Sequence, residues 1–308
     1  MSELIVTPGP HIKQPETIYT EMIDVLIALI PALISGIWLF GLRAVVVILC
    51  TVISAVIFEV MMVRLRRRVI SKADIASAMV TGLLLSFCVS SAMPWWIMII
   101  ASFVAIVIAK HAFGGLGFNI FNPALVARAA LLTSWPVLMT TWLAPFSAIT
   151  SATPLSLLKE QKVITDYLVM LFGNHAGSIG ETSAVALLIG AGYLFYKRTI
   201  DARIPASYLA AVVVMSYVFR VDVIFNLLAG GLILGAFYMA TDPVSTPVTK
   251  PGRWVFGAGC GFITIVIRLW GGYPEGVCYA ILIMNAITPL IDRHLQGRIF
   301  GRKRWGTI

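Results

Sequence analysis

Runs of mostly apolar residues follow one another along almost the whole of this 308-residue chain. An α-helix rises about 1.5 Å per residue, so roughly 20 such residues cross a hydrocarbon core about 30 Å thick. The mean hydropathy of +0.93 and the charged fraction of only 12% exclude an ordinary soluble domain. The sequence therefore predicts an all-α polytopic membrane protein.

Ten segments are predicted to be transmembrane helices, five on each side of a long polar stretch. They are residues 22–42, 44–63, 75–91, 95–109, 117–132, 182–196, 204–219, 223–240, 254–270 and 277–291. The predicted organisation is a leader (1–21), a first transmembrane half (22–134), an external loop (135–181), a second half (182–292) and a basic tail (293–308). Several segments contain glycine or proline, which a membrane tolerates only where protein or a cavity satisfies the freed backbone groups.

The distribution of lysine and arginine gives the orientation. With the N-terminus inside, alternating the ten spans places 17 of the 23 basic residues in the cytoplasmic segments. This positive-inside pattern predicts a multi-pass protein of the inner (cytoplasmic) membrane with both termini in the cytoplasm. The net charge of +9 then reflects topology and contact with anionic lipid headgroups, and no nucleic-acid partner is expected.

Each half has five spans, so two structural repeats would have to be inverted in the membrane, which places binding sites near the midplane. The sequence support is one faint similarity, between residues 74–82 and 181–190, so the sequence does not decide whether the halves are repeats. Two glycine- and proline-containing segments interrupt the halves, at residues 114–123 and 241–247. They predict either a small-molecule site or tight turns between helices.

Few side chains are suited to chemistry. The four cysteines lie singly within predicted spans, and the four histidines lack the spacing of a haem or zinc site, so we predict no metal site. Asn119, Asn122 and Asp242 bring polar groups to the two interrupting segments, although helix-to-helix hydrogen bonds are the commoner role of such asparagines. Arg128 falls inside the fifth span, where a charge needs a ligand-facing cavity or a structural partner such as a helix carbonyl or Asp242.

Thr153 precedes Pro154 and a short amphipathic stretch in the external loop. Threonine before proline is typical of a helix N-cap, because proline suits the first helical position. A phosphate esterified to this hydroxyl would also be favoured, since free backbone amides and the helix dipole attract negative charge. A plain cap and a covalent attachment point both remain open from the residues alone.

Four segments together resemble the RnfD family, the membrane flavoprotein subunits of Rnf-type ion-translocating electron-transport complexes, and the related NqrB subunits of sodium-translocating NADH:quinone reductase. They are GGLGFNIFNPALVAR (114–128), SATPL (151–155), TDPVSTPVT (241–249) and GGYPEGVCYAILIMNAITPLID (271–292), in the expected order along the membrane domain. The short leader and the overall length are more similar to RnfD than to NqrB.

The resemblance implies a flavin transferase, acting outside the membrane, that attaches FMN through its phosphate to Thr153 in a motif whose matching residues are Thr150, Ser151, Ala152 and Thr153. Ser147 stands where the family usually has aspartate, and Ala148 where glycine is common. The resemblance also implies a second flavin, riboflavin, for which Asn119, Asn122, Arg128 and Asp242 are the candidate surroundings. No catalytic nucleophile, base or metal is then needed in this chain.

The partners implied by the resemblance are flavin- and iron–sulfur-carrying subunits, with electron flow coupled to Na⁺ or H⁺ movement. Two other hypotheses stay open. One is a urea- or ammonium-type channel or carrier with two inverted five-helix halves, a fold the resemblance also implies. The other is a scaffold for partner subunits.

Overall fold

The computed structural model describes residues 17–147, 149–161, 165–181, 183–272 and 275–295. Within these residues all regular secondary structure is helical, and one isolated β-bridge joins Leu143 to Thr150. The predicted leader therefore lies mostly outside the described residues, as does the basic tail beyond residue 295.

Fourteen α-helical elements follow one another in the described chain. They are α1 (Ile18–Phe40), α2 (Leu42–Leu65), α3 (Lys72–Phe87), α4 (Trp95–Phe103), α5 (Pro123–Ser134), α6 (Pro136–Thr140), α7 (Pro154–Gln161), α8 (Tyr167–Phe172), α9 (Ala184–Lys197), α10 (Arg203–Val218), α11 (Val223–Leu228), α12 (Leu232–Leu234), α13 (Lys250–Trp270) and α14 (Val277–His294). A π-helical turn extends α4 over Val104–Ile108 and another extends α12 over Gly235–Met239. A single 3₁₀ turn covers His111–Phe113.

The all-helical membrane class predicted from the sequence is confirmed. Four helical stretches in the described chain are long and apolar enough to cross a membrane, namely Ile18–Phe40, Leu42–Leu65, Trp95–Phe113 and Lys250–Trp270. Each of the ten predicted segments contains helix, but several of these helices are short, so the count of ten spans stays a prediction.

Helix packing repeats between the two halves of the sequence. The first helices of the halves, α1 and α9, pack against each other. In the first half α2 packs on α4, and in the second half α10 packs on α13. Two structurally related halves would share such a pairing, with α2 and α4 corresponding to α10 and α13. The inverted arrangement of the halves remains a prediction.

The fifth predicted span begins later than expected. Residues 117–122 are not helical, and α5 begins at Pro123 because the side-chain oxygen of Asn122 accepts hydrogen bonds from the backbone amides of Ala124 at 3.0 Å and Leu125 at 3.4 Å. An asparagine N-cap followed by proline is a strong helix start. The preceding glycines, Gly114, Gly115 and Gly117, have positive φ angles that end the helical conformation before them.

The eighth predicted span is broken. Helix α11 ends at Leu228, and Gly230 and Gly231 adopt φ angles of 68° and 64° before the chain resumes as α12. Arg268 of α13 donates to the carbonyl oxygens of Asn226 and Ala229, each at 2.6 Å. The arginine thus satisfies carbonyl groups at the end of a half-helix, where the helix dipole favours a cation.

The two halves meet closely at Gly190 of α9. A Cβ atom at Gly190 would lie 1.9 Å from the carbonyl oxygen of Ala28 on α1 and 2.3 Å from the hydroxyl of Tyr238. That hydroxyl donates to the carbonyl of Leu187 at 2.8 Å. The absence of a side chain is therefore what allows α1, α9 and the π-helical turn after α12 to approach.

We expect Gly190→Ala to lower the thermal stability of the detergent-solubilised protein. Overpacking of a close interface costs about 1–3 kcal/mol, and here two helix backbones must separate. Gly192→Ala is the matched control, because the same substitution on the same helix meets no atom within 4 Å. Equal melting temperatures for the two variants would show that α1 and α9 can separate at little cost.

Candidate cofactor site

Thr153 is the N-cap of α7, as predicted. Its hydroxyl oxygen accepts a hydrogen bond from the backbone amide of Ser156 at 3.2 Å and lies 3.0 Å from the hydroxyl of Ser156. The Thr153 carbonyl accepts from the amide of Leu157 at 2.9 Å, which begins the helix. Thr153 is only 2% exposed, so its side chain is buried.

A cavity of about 490 Å³ lies beside this helix start. Ala152 and Ser156, which flank Thr153 in the sequence and on the helix surface, both line it. The remaining lining comes from α5, α6, the chain just after α6, the rest of α7 and the loop before α14: Arg128, Leu132, Met139, Thr140, Trp142, Lys159, Glu160, Gly272 and Glu275. The volume is within the range of about 300–1,000 Å³ that is typical of small-molecule sites.

Two cations and two carboxylates face this cavity. Arg128 forms an ion pair with Glu275, and the side chains are 10% and 13% exposed. Lys159 donates to the carbonyl of Gly271. The suggestion that Arg128 pairs with Asp242 is therefore wrong, because the tertiary fold brings α5 to the loop before α14 and supplies Glu275 instead.

The other predicted site residues lie in a different cavity. Asn119, Asn122 and Asp242 line a space of about 80 Å³ together with Lys110 and Tyr238. The structure thus brings the two interrupting segments together but separates them from Arg128. This space is smaller than a typical small-molecule site, so riboflavin would fit only if the cavity widened. Riboflavin binding there stays a prediction.

Asp242 is half-buried and is hydrogen-bonded within its own segment. Its carboxylate accepts a hydrogen bond from the Ser245 hydroxyl at 3.0 Å and from the Val244 amide at 3.4 Å. Burial raises the pKa of this carboxyl above its usual range, although the hydrogen bonds from Ser245, Val244 and Asn119 and the charge of Lys110 act in the opposite direction.

The asparagines also hold the two segments together. The side-chain amide of Asn122 donates to the Met239 carbonyl at 3.3 Å. With its side-chain amide oriented to satisfy both neighbours, Asn285 donates to the Ser245 carbonyl at 3.2 Å and accepts from the backbone amide of Asn122 at 3.1 Å. The helix-to-helix role of these asparagines is therefore present, whatever ligand the cavity takes.

A buried cluster of charges, which the sequence did not predict, lies beside this smaller cavity. The Lys110 ammonium donates to Glu59 at 2.9 Å and to the Ser77 hydroxyl at 3.2 Å, and Nε2 of His111 lies 3.1 Å from the other Glu59 oxygen. Glu59, Lys110 and His111 are each no more than 2% exposed. In the predicted topology Lys110 and His111 lie at a cytoplasmic helix end, but the π-helical turn after α4 carries them inside the bundle.

The segment before Thr153 is held across the loop. The Ser151 amide donates to the Trp142 carbonyl at 3.0 Å, and the hydroxyl of Ser147 donates to the Ala144 carbonyl at 3.2 Å. The side chains of Ser151 and Ala152 are exposed, and Ala148 lies outside the described residues. Residues 149–151 therefore pair with residues 142–144 before the chain enters the capped helix α7.

These features define a class of protein: an all-helical membrane protein with broken helices, in which a threonine that caps a short helix lies beside a charged cavity of about 490 Å³. The model of the NQR2, RnfD, RnfE family matches residues 5–301, and the chain belongs to this family. The resemblance inferred from the sequence motifs is confirmed.

Curated relatives cover nearly the whole chain. The D subunit of the proton-translocating ferredoxin:NAD(+) oxidoreductase complex of Clostridium ljungdahlii is 44% identical over 97% of this chain and 96% of its own. The D subunit of the Na(+)-translocating ferredoxin:NAD(+) oxidoreductase complex of Acetobacterium woodii is 45% identical over 97% and 95%. The D subunit of an ion-translocating oxidoreductase complex of Halorhodospira halophila is 38% identical over 99% and 97%.

Proposed function

We propose that this chain is the RnfD-type membrane flavoprotein subunit of a ferredoxin:NAD oxidoreductase, in which an FMN esterified to Thr153 relays electrons and the electron flow is coupled to Na⁺ or H⁺ transport. The observation that carries the proposal is the placement of the Thr153 hydroxyl at a helix N-cap beside a cavity of about 490 Å³. The full-length similarity to subunits with these named activities supports the complex.

The residues at the cavity fit an esterified FMN. A phosphodiester at Thr153 carries negative charge at the N-terminal end of α7, where the Ser156 amide already points at the threonine oxygen. Lys159 lies on the cavity-facing side of the same helix, and Arg128 lies across the cavity on α5. Trp142 and Leu132 supply apolar surface for a flat ring system.

The flavin, when attached, supplies one- and two-electron redox chemistry, and the chain supplies position and electrostatics. The backbone amide of Ser156 and the side chain of Thr153 fix the attachment point, and the surrounding side chains limit the access of water. No acid, base or nucleophile of this chain is required for electron relay.

The proposal includes a wider setting. The chain would span the inner membrane ten times as two inverted halves, with both termini in the cytoplasm. It would assemble with flavin- and iron–sulfur-carrying subunits and be matured by an external flavin transferase. Relatives named for protons and for sodium are 44% and 45% identical, so the proposal does not choose an ion. The channel or carrier hypothesis is not favoured, because the relatives are named as oxidoreductase subunits.

The direct test is the chemical state of the native protein. We expect the chain purified from its own membranes to fluoresce as a flavin in a denaturing gel, and the peptide containing residues 151–158 to carry the mass of FMN on Thr153. The single variants Thr150→Ala, Ser151→Ala and Ser156→Ala, each of which keeps Thr153, serve as controls for the assignment. A native chain without a covalent flavin would refute the attachment.

A further inference from the structure

Arg128 is a largely buried charge whose partner, Glu275, lines the same cavity. It lies within α5, a 12-residue helix of the bundle, and is 8% exposed. A charge at such depth needs an opposite charge or a polar cavity. Arg128 has both, because Glu275 pairs with it and the two side chains line the cavity beside Thr153.

The cavity presents opposite charges to whatever occupies it. Lys159 and Glu160, the other charged lining residues, are exposed, so solvent screens them. Arg128 and Glu275 are largely removed from solvent, and charges there act on a neighbouring group with much less screening. Among the charged residues that line the cavity, Arg128 and Glu275 are therefore the two whose charges solvent screens least.

We propose that Arg128 sets the redox potential of the flavin on Thr153, with Glu275 acting in the opposite direction. The inference rests on the proposed attachment of FMN. When the flavin takes two electrons from a low-potential donor such as reduced ferredoxin and one proton from water, it gains one net negative charge. A guanidinium group beside the ring stabilises that charge and raises the potential, and a carboxylate lowers it.

The opposed charges give predictions of opposite sign. Arg128→Gln removes the cation and shifts the flavin potential downward. Glu275→Gln removes the opposing anion and releases Arg128 from its partner, which shifts the potential upward. Arg128→Lys keeps the charge and returns the potential most of the way to the wild-type value. A pair that served only the fold would give no such change of sign.

The experiment is a reductive spectroelectrochemical titration of the full-length flavinylated chain in detergent, for wild type and the three variants. Covalent flavin is quantified in the same samples by in-gel fluorescence. Lys159→Gln is the matched control, because it removes an exposed cation from the same cavity and is expected to give a smaller shift.

A downward shift for Arg128→Gln with an upward shift for Glu275→Gln supports the inference. Shifts of the same sign, or no shift in either variant, overturn it. If Arg128→Gln does not accumulate, Glu275→Gln decides alone, since an unchanged or lowered potential is the overturning result. A wild-type chain without covalent flavin refutes the proposed function instead, so the two failures are distinguishable.

Discussion

Replacing Thr153 with asparagine is expected to abolish the covalent flavin and the electron transfer of the assembled complex while leaving the external loop folded. Asparagine is as good an N-cap as threonine, because its side-chain oxygen accepts from the backbone amide two or three residues on. It cannot form the phosphoester, since it has no hydroxyl. Thr153→Asn therefore separates attachment from capping, which Thr153→Ala, at a cost of about 1 kcal/mol in helix capping, does not.

Serine and two neighbouring hydroxyl groups are the controls. Thr153→Ser keeps both the cap and the hydroxyl, so we expect flavin content and activity to remain measurable. Ser151→Ala and Ser156→Ala remove nearby hydroxyls and are expected to keep the flavin. The measurements are in-gel flavin fluorescence and ferredoxin-dependent NAD reduction by membranes. Full activity in Thr153→Asn would contradict the relay through this residue.

The second large effect is expected at the buried pair of Glu59 and Lys110. Removing one partner of a buried ion pair leaves an uncompensated charge, which typically costs about 3–5 kcal/mol. That loss is a large part of the roughly 5–15 kcal/mol that stabilises a folded domain. We therefore expect Lys110→Met or Glu59→Leu to lower the melting temperature sharply or to prevent accumulation of the protein.

The double variant Glu59→Leu with Lys110→Met tests the cause. Replacing both charges by apolar side chains is often close to neutral, so the double variant should be more stable than either single one. Asp201→Asn is the control for a less buried pair: Asp201 meets Arg203 at 2.9 Å and Arg253 at 2.6 Å, with side chains 23–34% exposed. A loss of about 1 kcal/mol or less is expected there. Equal losses in the single and double variants would show that an uncompensated charge is not the cause of the destabilisation.

Local sequence signals predicted the features that depend on neighbouring residues. Thr153 before Pro154 predicted the N-cap and the start of α7, and the structure has both. The same kind of signal, Asn122 before Pro123, marks the start of α5. The predicted span began at residue 117 instead, because the apolar residues between 117 and 123 look continuous with the helix. Likewise Gly230 and Gly231 predict the break that a continuous apolar run from 223 to 240 hid.

Features that depend on tertiary contact were beyond such signals. Glu275 lies 147 residues after Arg128, and no spacing in the sequence indicates that α5 meets the loop before α14. Lys110 and Glu59 are 51 residues apart, and each has the sequence position of a charge near a helix end. Their burial follows from the way α2, α3 and the π-helical turn after α4 pack together.

The small apolar cluster under α7 has a consequence for how the protein matures. Leu155, Met170, Phe225 and Ala229 form a core separate from the main one. Segments held by few buried apolar contacts open as local units, at a free energy well below that of global unfolding. We expect α7 to detach with the bundle intact, which exposes the otherwise buried Thr153 hydroxyl. For the proposed FMN attachment this sets an order of events: local opening, attachment, and then burial of the new ester when α7 recloses.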